Sequence, residues 1–146
     1  MRCIDQVLFT RHGCRNEDKI LNVASTASQL TGLRQAIYHA TKGFVLSFTE
    51  AIWEEVKDTQ VTITALQPGS TDTVFFHKAQ METSKIVQDG SLAGPADVAK
   101  DGYDAQRAGD DKVVSGFKNK VQLTMSNLKP ESVVAASVGV QQKPAD

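Results

Sequence analysis

ILNVAS occupies residues 20–25 and is a short, largely apolar run that lies between charged residues and small polar ones. Such a run is typical of a strand that is buried in a parallel sheet. Its last residue, Ser25, falls where a strand ends and a loop begins, which is where parallel sheets present ligand-binding groups. We therefore predict a strand over Ile20 to Ala24 that brings Ser25 to a site.

Two more elements follow along the chain. Apolar residues recur at three- and four-residue steps from Gln35 to about Lys57, as they do on one face of an amphipathic helix. The next run, VTITAL at residues 61–66, is rich in β-branched residues and stops before Pro68-Gly69, a pair that predicts a turn. The order of these elements is strand, helix, strand.

The rest of the chain continues this alternation. Pro95 and Gly109 bracket an apolar pattern, and proline inside the start with glycine past the end is typical of a helix. The remaining predictions are a third strand over residues 112–116, helices over 117–128 and 130–136, a loop with short helical pieces from Thr71 to about Gln88, and disorder over 141–146.

Alternating strands and helices predict the α/β class, with a parallel sheet of about three strands and right-handed crossovers. A chain of 146 residues has the size of one globular domain. The strand over Ile20 to Ala24 is apolar enough to be central, yet the sequence provides no neighbour for its outer edge. An open, apolar edge favours pairing with another chain.

Composition limits the classes of partner and site. Sixteen basic and seventeen acidic residues give a net charge of -1, which gives no electrostatic reason to expect nucleic acid or an anionic membrane as a partner. Cys3, His12 and Cys14 offer three metal ligands where a structural zinc site needs four, so we predict no metal. With two cysteines and no apolar run long enough to span a membrane, we expect a reduced, cytoplasmic protein.

Tyr38 and Lys42 carry the candidate chemistry. They are four residues apart on the predicted helix, so their side chains share one face. A phenol loses its proton near pH 10, and a nearby ammonium lowers that pKa, which would let Tyr38 act as acid or base. Each residue also has a structural interpretation: Tyr38 as half-buried core, Lys42 as a solvated side chain, Ser25 as a cap and Pro68-Gly69 as a plain turn.

In this order, the motifs resemble those of the short-chain dehydrogenases/reductases, and within them the bacterial NAD(P)-dependent oxidoreductases. ILNVAS is similar to the fifth strand of that family, which ends in the catalytic serine. Tyr38 to Lys42 matches the family's Tyr-x-x-x-Lys helix, and Pro68 to Thr73 matches its Pro-Gly-x-x-x-Thr loop. The resemblance implies the C-terminal half of a Rossmann-like, doubly wound sheet.

The resemblance also implies roles for these residues. Ser25 would polarise the substrate oxygen, Tyr38 would donate or accept the proton, and Lys42 would lower the pKa of Tyr38 and bind the nicotinamide ribose. The implied cofactor is NAD or NADP, and its nicotinamide would be bordered by the loop residues Pro68, Gly69, Thr71 and Thr73. The segment from Thr71 to about Gln88 would form a substrate lid.

Some family features have no counterpart in the sequence. Gly13 is the only glycine before Ser25, so there is no glycine-rich cofactor turn, and an Asn-Asn-Ala-Gly-like segment and a relay asparagine are also missing. We therefore divide the chain into a divergent segment over residues 1–14, a catalytic half over 15–117, and a helical extension with a disordered tail over 118–146.

Two functions remain open at this point. The first is an oxidoreductase that transfers hydride between NAD(P) and a carbonyl or alcohol. The second is a truncated, non-catalytic fragment of such an enzyme, either an interaction module or the product of an incomplete gene. Contacts with a second copy or a partner chain would use the helix from Gln35 to Lys57 or the open edge of the Ile20 to Ala24 strand.

Overall fold

A computed structural model describes residues 18–33, 35–79, 84, 87 and 92–141. The predictions for residues 1–14, for part of the lid and for the chain after 141 lie outside these residues. Within the described residues the elements are β1 (Lys19–Val23), a 3-10 helix (Thr26–Gln29), α1 (Ala36–Val56), β2 (Thr62–Gln67), α2 (Phe75–Lys78), α3 (Pro95–Ala108), β3 (Lys112–Val114), α4 (Phe117–Asn127) and α5 (Glu131–Gln141).

The three strands of the described part of the chain form one parallel sheet in the order β1-β2-β3. This confirms the predicted α/β class. β2 is central, and its residues from Ile63 to Gln67 are buried. Thr64 is accommodated in this interior because its Oγ1 donates a hydrogen bond to the carbonyl oxygen of Asp110 at 2.7 Å.

Helix α1 covers one face of the sheet. Its Ile52 and Val56 pack with Val61 and Ile63 in one apolar cluster, and Leu46 packs with Ala24 and Ala65 in a second. Thr49 joins them as a fully buried residue, and its Oγ1 accepts a hydrogen bond from Asn22 Nδ2 at 3.0 Å. The polar residue in the middle of β1 is therefore satisfied inside the protein.

Helix α3 covers the opposite face and begins and ends as predicted. Pro95 is in its first turn, and Gly109 ends it with φ +86°, donating its N–H to the carbonyl oxygens of Ala105 and Gln106. Gly102 lets the helix approach the sheet, because a Cβ at this position would lie 2.8 Å from a methyl carbon of Leu66. This close packing fixes the height of α3 above β2.

Two features of the periphery differ from or extend the predictions. Helix α5 continues to Gln141, so it is longer than the predicted 130–136 and includes the first residue of the predicted tail. Val23 at the outer side of β1 is 52% exposed, and no described strand pairs with that edge. Among the described residues, no helix combines the length and apolarity that a membrane crossing requires; a cytoplasmic location stays a prediction.

Candidate active site

The carboxyl ends of the strands open into a cleft of about 840 Å³. The seven residues predicted to form the site all line it: Ser25, Tyr38, Lys42, Pro68, Gly69, Thr71 and Thr73. They come from the end of β1, the first turns of α1 and the loop after β2. In a parallel sheet these three places lie at one edge, which is why the residues meet.

Ser25 is both a helix cap and a cleft residue. Its Oγ accepts a hydrogen bond from the N–H of Ala27 at 3.1 Å and caps the 3-10 helix that follows β1. The same hydroxyl donates to the carbonyl oxygen of Pro68 at 3.4 Å, a long and therefore weak bond. The shorter bond from Ala27 thus fixes the position of the Ser25 oxygen. The hydroxyl proton is held only by the longer bond to Pro68, so it can turn toward another acceptor.

Tyr38 and Lys42 lie one turn apart on α1, and both are partly buried. The Lys42 Nζ lies 6.0 Å from the centre of the Tyr38 ring. It donates a hydrogen bond to the carbonyl oxygen of Val23 at 2.8 Å, which ties the helix to the end of β1. Burial lowers the pKa of Lys42 below the ordinary lysine value of 10.5.

Phe75 fixes the other side of the Tyr38 ring. The centres of the two rings are 5.4 Å apart, and the ring planes make an angle of 45°. Phe75 is itself in edge contact with Phe76, with the ring centres 5.5 Å apart. Phe75 belongs to α2, a short helix in the segment that was predicted to be a lid. The described part of that segment therefore lies against the tyrosine.

The loop after β2 is held on both sides. The N–H of Thr26 donates to the carbonyl oxygen of Pro68 at 2.9 Å, which joins this loop to the residue after Ser25. Further along, Asp72 and Ala93 are joined by a backbone hydrogen bond of 3.0 Å, and Thr71 Oγ1 donates to the carbonyl oxygen of Gly69 at 3.1 Å. These bonds place the loop where its hydroxyl groups and glycine face the cleft.

His39 packs instead of facing solvent. It is 8% exposed, and its Nδ1 lies 2.6 Å from the carbonyl oxygen of Leu30. Its ring also occupies the space beside Gly32, where an added Cβ would come within 2.1 Å of ring atoms. His39 therefore has a packing role in the structure.

Sequence reasoning missed the side of the cleft that α4 provides. Lys118, Asn119 and Gln122 all line the cleft from this helix, more than seventy residues after Tyr38 in the chain. Their only signal in the sequence is that α4 directly follows the carboxyl end of β3, the edge at which parallel sheets bind ligands.

Gln67, at the end of β2, was also missed as a structural residue. It is fully buried, and its Oε1 accepts hydrogen bonds from Ser28 and Gln29. Both donors belong to the 3-10 helix that Ser25 caps, so this buried amide holds that helix against the central strand. Its Nε2 has no partner among the described residues.

The described residues contain no group of three or more His, Cys, Asp or Glu side chains that could hold a metal ion. Cys3, His12 and Cys14 lie outside the described part of the chain. The polar side chains of the cleft are hydroxyls, amides, lysines and the His39 imidazole, which suit an uncharged polar or anionic organic ligand.

Part of the chain is similar in sequence to two curated proteins. The chain is 29% identical over 90 residues to an NADP-dependent 3-hydroxy acid dehydrogenase from Schizosaccharomyces pombe, covering 59% of this chain and 35% of that protein. It is 39% identical over 70 residues to a ketoacyl reductase of the monensin polyketide synthase from Streptomyces virginiae, covering 47% and 27%. The matches span about a third of the first relative's length and about a quarter of the second's.

Solved structures agree on the fold. A short chain dehydrogenase from Burkholderia cenocepacia in complex with NADP superimposes with a TM-score of 0.72 at 16% identity, over 92% of this chain and 54% of that one. One from Burkholderia phymatum in complex with NAD gives 0.70 at 18% identity, over 97% and 55%. A variant of the actinorhodin polyketide ketoreductase with NADPH gives 0.59 at 26% identity, over 75% and 49%.

These neighbours carry the cofactor that the sequence motifs imply, NAD or NADP. The present chain spans about half of each neighbour's length. A family profile described as short chain dehydrogenase matches residues 4–84, more than half of the chain. Because this profile covers more than half of its length, the chain belongs to the short chain dehydrogenase family.

Proposed function

We propose that this chain provides the catalytic groups of an oxidoreductase that transfers hydride between NAD(P) and a carbonyl or alcohol. One observation carries the proposal: Ser25, Tyr38 and Lys42 line a single cleft at the carboxyl edge of the sheet. A hydroxyl donor, a phenol and an ammonium in one cleft are the groups that proton transfer to a carbonyl oxygen requires.

The described residues fit the nicotinamide end of the cofactor. Gly69 lines the cleft, and the hydroxyls of Thr71 and Thr73 line it as well. Lys42 uses one N–H for the carbonyl oxygen of Val23, which leaves two for a ribose hydroxyl or for Tyr38. We assign only this end of the cofactor to the chain, since the printed sequence has no glycine-rich turn before Ser25. When bound, the reduced cofactor supplies the hydride.

The protein's own part in the reaction is proton transfer. For reduction, the Ser25 hydroxyl leaves its weak hydrogen bond with the carbonyl oxygen of Pro68 and donates to the substrate oxygen instead. This new bond stabilises the negative charge that develops on the substrate oxygen. The Tyr38 hydroxyl gives its proton to that oxygen, so the alcohol forms and Tyr38 becomes a phenolate. The Lys42 ammonium, on the same helix face, stabilises this phenolate.

Binding of the nucleotide by the purified chain tests this proposal. We expect NADPH or NADH to bind saturably, with its fluorescence changing on binding, and Lys42→Ala to weaken binding because it removes a proposed ribose donor. Lys100→Ala, a change at an exposed lysine on α3, is the matched control. Absence of saturable binding at about 1 mM nucleotide, which corresponds to about 4 kcal/mol, would contradict the proposal.

Turnover is tested in parallel with ethyl acetoacetate, a 3-oxo ester. The two curated relatives are named as a 3-hydroxy acid dehydrogenase and a ketoacyl reductase, and both names describe chemistry at an oxygen near an acyl group. We expect NADPH or NADH to be consumed with this ester and not with the corresponding 3-hydroxy ester. Binding without any turnover would favour the second candidate function.

The second candidate is an interaction module, and exposed apolar side chains on α1 favour it. Ile37 is 82% exposed and Phe44 is 68% exposed, and Val23 at the free edge of β1 is 52% exposed. Large apolar groups on one helix and an adjoining open edge are typical of a surface that binds protein. Phe44→Glu should abolish self-association in sedimentation experiments, whereas unchanged association would exclude this surface.

A further inference from the structure

We propose that Asn119 is a binding residue for the carboxamide group of the nicotinamide. This inference rests on the proposed function, and it assigns a ligand contact to a helix that carries none of the motifs that pointed to the family. The geometry that supports it is the position of the Asn119 amide, which lies in the cleft and directly on Gly69.

The turn before α4 places Asn119 beside Gly69. Ser115 is buried, and its N–H donates to the carbonyl oxygen of Gln67 at 3.1 Å, so the end of β3 is fixed beside the end of β2. Gly116 then adopts φ +82°, a left-handed conformation that favours glycine, and α4 begins at the next residue. The helix therefore starts toward the loop after β2, and Asn119 is in its first turn.

Asn119 and Gly69 are in close contact. A Cβ built on Gly69 would lie 2.3 Å from Asn119 Nδ2 and 2.5 Å from Oδ1, so both polar atoms lie over this glycine. Only glycine allows this approach, since any side chain at position 69 would occupy the same space. The amide is thus placed beside the residue proposed to border the nicotinamide ring.

The hydrogen-bond capacity of Asn119 is only partly used. Its Nδ2 donates one bond to the carbonyl oxygen of Ser115 at 2.7 Å, which fixes the orientation of the amide. No donor in the described part of the chain reaches Oδ1, and Nδ2 has a second N–H. A carboxamide matches these two groups, because its NH2 donates to Oδ1 and its oxygen accepts from Nδ2.

The test compares two nucleotides. One is NADH, and the other is its reduced 3-acetylpyridine analogue, in which a methyl ketone replaces the carboxamide and the NH2 donor is lost. We expect the wild-type chain to bind NADH about threefold to tenfold more tightly, as one net hydrogen bond predicts. Asn119→Ala should reduce this ratio to near one. Asn127→Ala, at the far end of the same helix and exposed, should leave it unchanged.

A second variant separates binding from structure. Asn119→Asp loses the donor to the carbonyl oxygen of Ser115 but keeps an acceptor for the carboxamide NH2, so it should destabilise the fold and still prefer NADH. A ratio in Asn119→Ala equal to the wild-type ratio would overturn this inference while leaving the proposed function intact. Failure of the wild-type chain to bind either nucleotide would overturn both.

Discussion

The two sides of the cleft are built differently. The first wall, Ser25, Tyr38 and Lys42, stands on the end of β1 and on α1, whose buried residues pack in both apolar clusters on that face of the sheet. The second wall, Lys118, Asn119 and Gln122, stands on α4, of which only Leu123 is buried among its described side chains. The first wall, which is packed firmly on the sheet, thus carries the groups of the proposed proton transfer. The second wall is anchored at few points and faces the same ligand.

The difference suggests a division of labour. Proton transfer needs groups held to within a fraction of an ångström, which a helix packed on a sheet provides. The second wall is held mainly through the turn at Gly116 and the contact of Asn119 with Gly69. We expect substitutions in the first wall to change the rate and those in the second wall to change ligand affinity.

Tyr38→Phe should have the largest effect. Removing the hydroxyl removes the proposed proton donor, so kcat for ethyl acetoacetate should fall by about a hundredfold to ten-thousandfold. Nucleotide affinity should change by less than about threefold, since the ring and its contact with Phe75 remain. Tyr103→Phe, at a tyrosine 58% exposed on α3, is the control in the same steady-state assay. A variant at position 38 with wild-type kcat would remove the first wall from the chemistry.

Two lysine variants compare the walls directly. Lys42→Met removes a lysine from the first wall, and Lys118→Met removes one from the second. We expect kcat to fall about a hundredfold for Lys42→Met and by less than about threefold for Lys118→Met. An equal fall in kcat in the two variants would mean that turnover depends on the total positive charge of the cleft and not on the position of Lys42 in the first wall.

The pH profile sharpens this prediction. The proposed role of Lys42 needs its ammonium form, which is present below its pKa and lost as the pH rises through it. Burial lowers that pKa, so the activity should decline with a midpoint below 10.5. A midpoint above 10.5 would contradict the assignment of this limb to Lys42.

Gly69→Ala tests the contact between the second wall and the loop after β2. The added methyl must displace the Asn119 amide from its bond with the carbonyl oxygen of Ser115, so the free energy of unfolding should fall by about 1–2 kcal/mol. The same change in an Asn119→Ala background should cost less than about 0.5 kcal/mol, because the clash is absent. Urea unfolding followed by circular dichroism measures both values. Additive effects of the two changes would show that Asn119 does not contact the loop after β2 at Gly69.

Gly43→Ala should have the smallest effect and the opposite sign. Residue 43 is inside α1, where alanine is favoured over glycine by about 0.5–1 kcal/mol. An added Cβ would lie 3.5 Å from the carbonyl oxygen of Ser28, an ordinary contact. The variant should therefore unfold at a higher urea concentration with unchanged kcat. A loss of stability would show that the first wall tolerates less change than its packing indicates.

Much of the first wall could be predicted from the sequence, because its signals are local. A four-residue spacing places Tyr38 and Lys42 on one helix face, and β-branched runs that stop at Pro68-Gly69 define where the strands end. Burial was harder to predict. No local pattern marked His39 as buried, and the amide of Gln67 gave no sign that it would lie fully buried beneath the 3-10 helix.

The sequence by itself predicted the α/β class and a helix from Gln35 to about Lys57, because periodicity and turn residues act over a few positions. The three candidate catalytic groups came from the resemblance of its motifs to those of a known family. Only the tertiary structure decided that α4 lines one side of the cleft. That outcome depends on the left-handed turn at Gly116 and on a contact between Asn119 and Gly69, fifty residues apart in the chain. No local pattern encodes such a meeting, since it exists only once the three strands have paired.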